Sequence, residues 1–404
     1  MQYRNIIIIS NFLSLKSDIL GLIWCYNGSM TMQEIKHTLR VMPIHIINPN
    51  ANKERAVYVG EELESLIDTL GAEIVERVMQ KLEKPDNATY IGKGKVKEVA
   101  GLVKEKDVDV VVLSTTAKPR QVHALKTELQ KVNPQIEVWD RVDLILQIFD
   151  KHASTIESKL QIELARMRYM GPRIYGMGFV MSQQGGGIGT KGIGETNTEL
   201  MKRHWRAAMK KVVDQLRKIS SNRELQLERR KKTGIQTVSI VGYTNAGKSS
   251  LFNLLTGKST LVENELFATL DSTVGKLYLQ ALQKEILITD TIGFIRNLPP
   301  KLIDAFKSTL MESMHADVLL HVIDVSDPEV DTKIHVVNNI LKDLGRNIDD
   351  DIYVFNKIDA IDLNEEELKV KYAAYSPLII SVKQNVGIEA VKEAIARRLA
   401  TINN

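Results

Sequence analysis

Val238-Ser239-Ile240-Val241-Gly242-Tyr243-Thr244-Asn245-Ala246-Gly247-Lys248-Ser249 is an apolar run that breaks into a loop bracketed by two glycines and leaves it through Lys-Ser. The first four residues predict a buried strand. Glycines at both ends of the loop let the backbone curl until successive N–H groups face one point, at the positive end of a helix predicted to begin at Lys248. A loop of that kind cradles phosphate. Lys248 would reach the β- and γ-phosphates of a nucleotide, and the Ser249 hydroxyl would hold Mg²⁺.

Two more motifs stand at the ends of apolar strands downstream. Asp290-Thr291-Ile292-Gly293 follows Ile286-Leu287-Ile288. A carboxylate at that edge can hold the magnesium through water, and the Gly293 N–H can meet the γ-phosphate. Asn356-Lys357-Ile358-Asp359 follows Tyr353-Val354-Phe355. Asp359 can accept from both N1–H and the 2-amino group of guanine, a donor pair that adenine lacks, while Asn356 and the Lys357 stem brace the ring. Ser381-Val382-Lys383, after the last expected strand, suits a loop closing over the base. Each motif alone is short and weak; the ordered trio, each at a strand end, reads as a guanine-nucleotide site.

Working outward, the same alternation of strand and helix fills residues 234–404. Strands are expected at Gln236 to Val241, Val274 to Gln280, Glu285 to Thr289, Val318 to Val325, Ile352 to Phe355 and Leu378 to Val382, with a last helix at Ile388 to Ala400. That texture predicts a mainly parallel sheet covered on both faces. Residues 42–150 read as a separate, smaller α/β domain. Its strands are expected at Pro43 to Asn48, Ala72 to Val78, Val108 to Ser114 and Ile136 to Trp139, and its helices at Val59 to Leu70, Lys93 to Glu105 and Pro119 to Val132. Gly92-Lys93-Gly94-Lys95 lacks the strand and spacing of a phosphate loop and reads as a basic turn. Residues 151–233 predict two long helices joined by a glycine-rich tip, Gly185 to Gly194, in an antiparallel hairpin. From Lys202 to Lys232 there are twelve Lys or Arg against Asp214, Glu224 and Glu228, a density that suits contact with RNA phosphates as well as a solvated face.

The chain has 404 residues, 44% hydrophobic and 26% charged, enough for two or three buried cores. A net charge of +4 implies no polyanion partner by itself. One cysteine, Cys25, excludes an intrachain disulfide framework or a multi-cysteine zinc site and fits a reducing, cytoplasmic address. Residues 1–41 carry two apolar runs, Ile6 to Ile9 and Ile19 to Trp24, each shorter than the roughly 20 residues of a membrane span. They read as an extension, with a partly membrane-associated protein as the alternative.

From about Ile47 to Leu399 the sequence resembles HflX-type GTPases of the translation-factor branch. The match rests on Tyr90-Ile91-Gly92-Lys93-Gly94-Lys95, Asp140-Arg141-Val142-Asp143-Leu144-Ile145-Leu146, Gly192-Ile193-Gly194-Glu195-Thr196, the Gly242 to Ser249 loop and Phe267-Ala268-Thr269-Leu270-Asp271. The resemblance implies that Thr269 is the switch I threonine on Mg²⁺, with Lys248, Thr269 and Gly293 as catalytic groups. It adds Ser250 and the Phe267 to Asp271 stretch to the nucleotide contacts. It implies a large ribosomal subunit partner, with Gly189, Lys191, Gly192, Gly194, Lys202, Arg203 and Arg206 at ribosomal RNA, and a role in splitting or rescuing stalled ribosomes. The alternatives are a GTP-gated RNA-remodelling factor acting off the ribosome and a membrane-associated regulatory GTPase. A monomer is expected, with neither DNA nor stable membrane insertion.

Departures from the family pattern are informative. The tip has Ile193 where the family has proline and Asn197 where it has glutamine. Phe294 follows the DxxG glycine, where Ras-like enzymes place a water-orienting glutamine, so slow intrinsic hydrolysis is expected. Resemblance to potassium-activated GTPases with a hydrophobic residue there points to Asn245 as a K⁺ ligand, against the simpler reading that it shapes the loop.

Overall fold

Among the described residues every ladder between two strands but one is parallel, and that sets where the functional loops emerge. The computed structural model describes residues 38–50, 53–184, 197–258, 272–296, Leu302, Phe306 and 314–402. Expectations for residues 1–37, for the glycine-rich tip and for Phe267 to Asp271 lie outside them. The described residues divide into two compact units, one ending at Leu144 and the other beginning at Ile145.

The first unit runs β1 (Arg40–Ile47), α1 (Lys53–Leu70), β2 (Glu73–Ile74), β3 (Val78–Lys81), α2 (Lys93–Glu105), β4 (Val110–Leu113), α3 (Pro119–Leu129) and β5 (Glu137–Trp139). Its sheet has the order β2-β1-β4-β5, with β3 also paired to β1. All four residues of β4 are buried, the composition a parallel strand needs when both its faces are covered. The strand expected over Ala72 to Val78 is two strands. Arg77 makes a two-pronged bond to Glu64 of α1, at 2.7 and 2.9 Å, which takes the chain out of the ladder before β3 rejoins it. Gly92 opens α2, its N–H donating to Gln80 Oε1 at 3.0 Å, so the basic Gly-Lys repeat is a helix start.

Helix α4 (Arg141–His152) spans the division. The fully buried Asp140 starts it, accepting from the Val142 and Asp143 N–H groups at 3.0 and 3.1 Å and from Ala117 N at 3.0 Å.

After α4 the second unit continues with α5 (Ile156–Gln184) and α6 (Asn197–Lys232). Trp205 Nε1 donates to the Met167 carbonyl and Arg223 pairs with Glu157 at 3.2 Å. Partners that descend on one helix as they climb on the other establish the antiparallel hairpin. At the end of α6, Gly234 takes φ +66° and Ile235 N–H returns to the Arg230 carbonyl at 3.2 Å, the 6→1 closure that an αL residue permits. The chain then enters β6 (Thr237–Gly242), α7 (Lys248–Thr256), β7 (Thr273–Leu279), β8 (Lys284–Asp290), β9 (Val318–Asp324), α8 (Val330–Asp343), β10 (Ile352–Asn356), α9 (Glu365–Lys371), β11 (Leu378–Ile379) and α10 (Ile388–Ile402).

This six-stranded sheet has the order β11-β10-β9-β6-β8-β7, antiparallel only between β7 and β8. After β6 the chain goes first to one side, through β7 and β8, and then crosses to β9 on the other. A crevice opens at such a reversal, outside the carboxyl ends of the strands. Val238, Ile240, Phe252, Ile288, Leu320 and Val354 form the core beneath it, closed by Val391, Ile395 and Leu399 of α10.

His321 of β9 is buried against Tyr353, the ring centroids 5.3 Å apart, and desolvation, the largest cause, pulls its imidazole down to about 3. As pH falls below 6.5 the unfolded chain takes up a proton that the folded chain refuses, so stability declines. Between pH 7 and pH 5 this one group is expected to cost ~2 kcal/mol. His321→Gln should remove that share of the pH dependence of the urea midpoint; equal slopes for both proteins would show that His321 is not the group responsible.

Candidate nucleotide-binding site

Parallel pairing delivers Gly242, Asp290, Asp324 and Asn356, the last residues of β6, β8, β9 and β10, to one sheet edge. The three motifs read from the sequence therefore meet without any long-range coincidence.

The loop from Gly242 to Ser249 is tied down on several sides. Thr244 N donates to the Phe294 carbonyl at 2.8 Å, and Phe294 N donates back to Gly242 O at 3.0 Å. Thr291 Oγ1 donates to the Ile240 carbonyl at 2.7 Å, fixing the exit of β8 against β6. Lys248 Nζ donates to the Tyr243 carbonyl at 2.8 Å, which folds the ammonium back under the loop. Burial pulls that ammonium down to about 8, against the opposing pull of Asp290. A polyphosphate would supply the counter-charge and raise it again. Gly293 lies so close that a Cβ there would sit 2.8 Å from Lys248 Nζ and 3.0 Å from Thr244 Cα, so only glycine brings this backbone against the lysine.

Ser249 Oγ donates to Asp290 Oδ2 at 2.6 Å. Hydroxyl and carboxylate oxygens converging at the start of a helix form a hard-oxygen donor set. That fits Mg²⁺, which takes few protein ligands and completes its shell with phosphate oxygens and water. Asn245 takes φ +62°, a left-handed conformation asparagine tolerates better than most residues, and its side chain is exposed. Shaping the loop is thus one role that the asparagine fills. Ala246 and Ile292 are buried, and Ser250 is half-buried on α7.

On the base side, Ser381 Oγ donates to Asp359 Oδ1 at 2.5 Å and accepts from Gln384 N at 3.1 Å. The Asp359 carboxylate is thereby aimed, and Ile358 N–H is held by the Ile380 carbonyl. Asn356 joins the two halves of the site. Its Nδ2 donates to Ala246 O at 2.9 Å and its Oδ1 accepts from Val382 N at 3.0 Å. Lys357 adopts φ +69° and pairs with Asp324 at 2.7 Å, which orients its stem along the crevice. Lys383 is exposed. Asp324 was not singled out in the sequence; the available signal was a carboxylate closing the apolar run Val318 to Ile323. Of the expected RNA-contacting residues, Arg203 and Arg206 are exposed and Lys202 half-buried on α6. Gly189, Lys191, Gly192 and Gly194, with Thr269 and its neighbours, fall outside the described residues.

Three family models match the chain: GTP-binding GTPase N-terminal over residues 58–150, GTP-binding GTPase Middle Region over 152–230, and 50S ribosome-binding GTPase over 237–357. The GTPase HflX of Caldanaerobacter subterraneus subsp. tengcongensis is 43% identical over 359 residues, 86% of this chain and 81% of the relative. The GTPase HflX of Escherichia coli K12 is 35% identical over 341 residues, 84% and 79%. The crystal structure of SsGBP in complex with GDP aligns with a TM-score of 0.52 at 25% identity, across 91% of this chain and 100% of that one.

A carboxylate that reads guanine through two donors makes a sharp forecast. Asp359→Asn replaces one acceptor by a donor, which opposes the 2-amino group but suits the 2-oxo group of xanthine. GTP affinity should fall by on the order of a hundredfold or more, from one charge-assisted bond lost and the other reduced to a neutral one, while XTP binding rises. Fluorescent-nucleotide titration with both bases checks it, and unchanged GTP affinity would remove Asp359 from the base contact.

Proposed function

The chain belongs to the HflX family of GTPases, and from that membership we propose that it is a GTP-timed factor of the large ribosomal subunit that splits or rescues stalled ribosomes in the cytoplasm. Binding and hydrolysis of GTP come with the family and its GTPase domain. The observation that carries the ribosomal part is how a basic rod joins the nucleotide sheet. Helix α6 is 36 residues long, with Arg203, Arg206, Lys210, Lys211, Arg217 and Lys218 exposed along it. Such a face suits RNA phosphates. Only four residues separate it from β6, and they are held. Lys284 Nζ donates to Gly234 O at 3.0 Å, Leu287 N to Gln236 O at 3.0 Å, and Gln236 Nε2 to Leu399 O at 3.2 Å. A change at the phosphates thus has a short, bonded route to the RNA-facing helix. The match of residues 237–357 to 50S ribosome-binding GTPases supports the same partner.

Within this reading Lys248 and the Gly293 N–H act on the γ-phosphate, and Ser249 and Thr269, with Asp290 through water, would hold Mg²⁺. Bound Mg²⁺ supplies charge neutralisation at the β- and γ-phosphates. Phe294 is buried and has no group to orient water, so the free protein hydrolyses GTP slowly and the ribosome completes the site. Asn245 would hold a K⁺ ion, which would supply the charge that other GTPases take from an arginine finger. Gly189, Lys191, Gly192 and Gly194 of the tip, with Lys202, Arg203 and Arg206, face ribosomal RNA, and the protein acts as a monomer.

Sucrose-gradient sedimentation with ribosomes and GTP, a non-hydrolysable analogue or GDP tests the proposal. The GTP forms should travel with large subunits and diminish the intact-ribosome peak, and large subunits should raise the GTPase rate at least tenfold, more in K⁺ than in Na⁺. Binding to free RNA without co-sedimentation would favour an off-ribosome RNA-remodelling factor. Indifference of the rate to both large subunits and K⁺ would overturn the scheme.

A further inference from the structure

The phosphate loop contains one large aromatic side chain, and its environment is unusual for a loop residue. Tyr243 is buried, and its backbone forms a parallel bridge with Phe294, the residue directly after the DxxG glycine. Its hydroxyl accepts the backbone N–H of Arg296 at 2.6 Å, two residues farther on. The ring is covered by the Lys333 ammonium, 4.3 Å from the centroid. Lys333 is in turn paired with Asp327, and the Arg296 guanidinium is paired with Glu329. Asp327 Oδ1 accepts from Glu329 N at 2.9 Å, and Glu329 O accepts from Lys333 N at 3.0 Å. One phenol therefore touches the segment leaving β8 by its edge and hydroxyl, and the start of α8 by its face.

The consequence falls on Gly293. Gly293 lies between Lys248 and the residues that Tyr243 holds, Phe294 by its bridge and Arg296 by its hydroxyl. The place of the Gly293 N–H relative to the lysine is then fixed through Tyr243. In GTPases with a glutamine after this glycine, a side chain can position the attacking water. Here the corresponding side chain is Phe294, and geometry depends on where its backbone stands.

We infer that Tyr243 is a positioning residue for GTP hydrolysis, a latch whose hydroxyl and Lys333-capped ring hold the Gly293–Arg296 backbone at the working distance from Lys248. The latch acts on the transition-state arrangement more than on nucleotide binding, because its bonds go to protein groups behind the loop.

The test uses the full chain without ribosomes, so that its outcome does not depend on the ribosomal reading. Tyr243→Phe deletes only the hydroxyl. The expected result is a five- to twentyfold fall in intrinsic kcat, with the KM for GTP and the Kd of fluorescent GDP within twofold of the parent. Amide exchange at Arg296 should accelerate while exchange in β8 stays unchanged. Lys333→Met, which removes the charge over the ring and keeps the stem, should shift kcat in the same direction and again spare GDP affinity, and it serves if Tyr243→Phe folds poorly. An unchanged kcat in a folded variant overturns the inference. So does a fall in kcat matched by equal losses in GDP affinity and melting temperature, which would make Tyr243 a packing residue only.

Discussion

The side-chain amide of Asn356 is the contact on which the site depends. A carboxamide has a donor and an acceptor in one plane, and here each is used across a buried gap, to the Ala246 carbonyl and from the Val382 N–H. The phosphate loop leaves β6 and the base-reading loops leave β10 and β11, strands that are not neighbours in the case of β6 and β10. Without a bridge the two halves would share only the stiffness of the sheet. An aspartate could not donate to Ala246, and a leucine would leave two backbone groups buried without partners. The identity of this asparagine thus follows from hydrogen-bond bookkeeping before any nucleotide is considered.

What could be read from the sequence is what repeats locally. The strand ends at Gly242, Asp290 and Asn356 were legible because an apolar run that stops at a polar motif has a short-range signature, and parallel topology places all such ends together. The antiparallel hairpin was legible from the apolar spacing of its two helices and the glycines between them. The break between β2 and β3 was not, because it depends on Arg77 finding Glu64 thirteen residues away on another element. Asp324, Lys333 and Arg296 were missed for the same reason. Their partners are Lys357, Tyr243 and Glu329, and no local pattern links an isolated charge to a ring or carboxylate on a different strand. The start of α1 at Lys53 instead of Val59 is a milder case, since the charged first turn carries little apolar signal.

Electrostatics beneath the loop follow from where the chain puts charge and water. Lys248 and His321 are both fully enclosed, and desolvation dominates both, yet they end differently. Lysine begins four units above histidine, so the same direction of shift leaves the lysine cationic near neutrality and the histidine uncharged. A neutral imidazole beneath a cationic ammonium avoids like-charge repulsion in a place where screening is weak. The sheet therefore presents the Lys248 charge to the phosphates without a second cation at His321.

The closure of α6 at Gly234 has a mechanical meaning. A helix of 36 residues is about 54 Å long, and its base is anchored by hydrogen bonds to β8 and α10 through Lys284, Leu287 and Leu399. A rigid rod clamped at one end multiplies angle into distance: a tilt of about 5° at the clamp displaces the far end by about 5 Å, roughly one helical pitch. Shifts of a few tenths of an ångström along β6 or β8, too small to alter the sheet, become large at the Asn197 end of α6. In that sense the hairpin is a gauge needle, and the nucleotide sheet is its pivot.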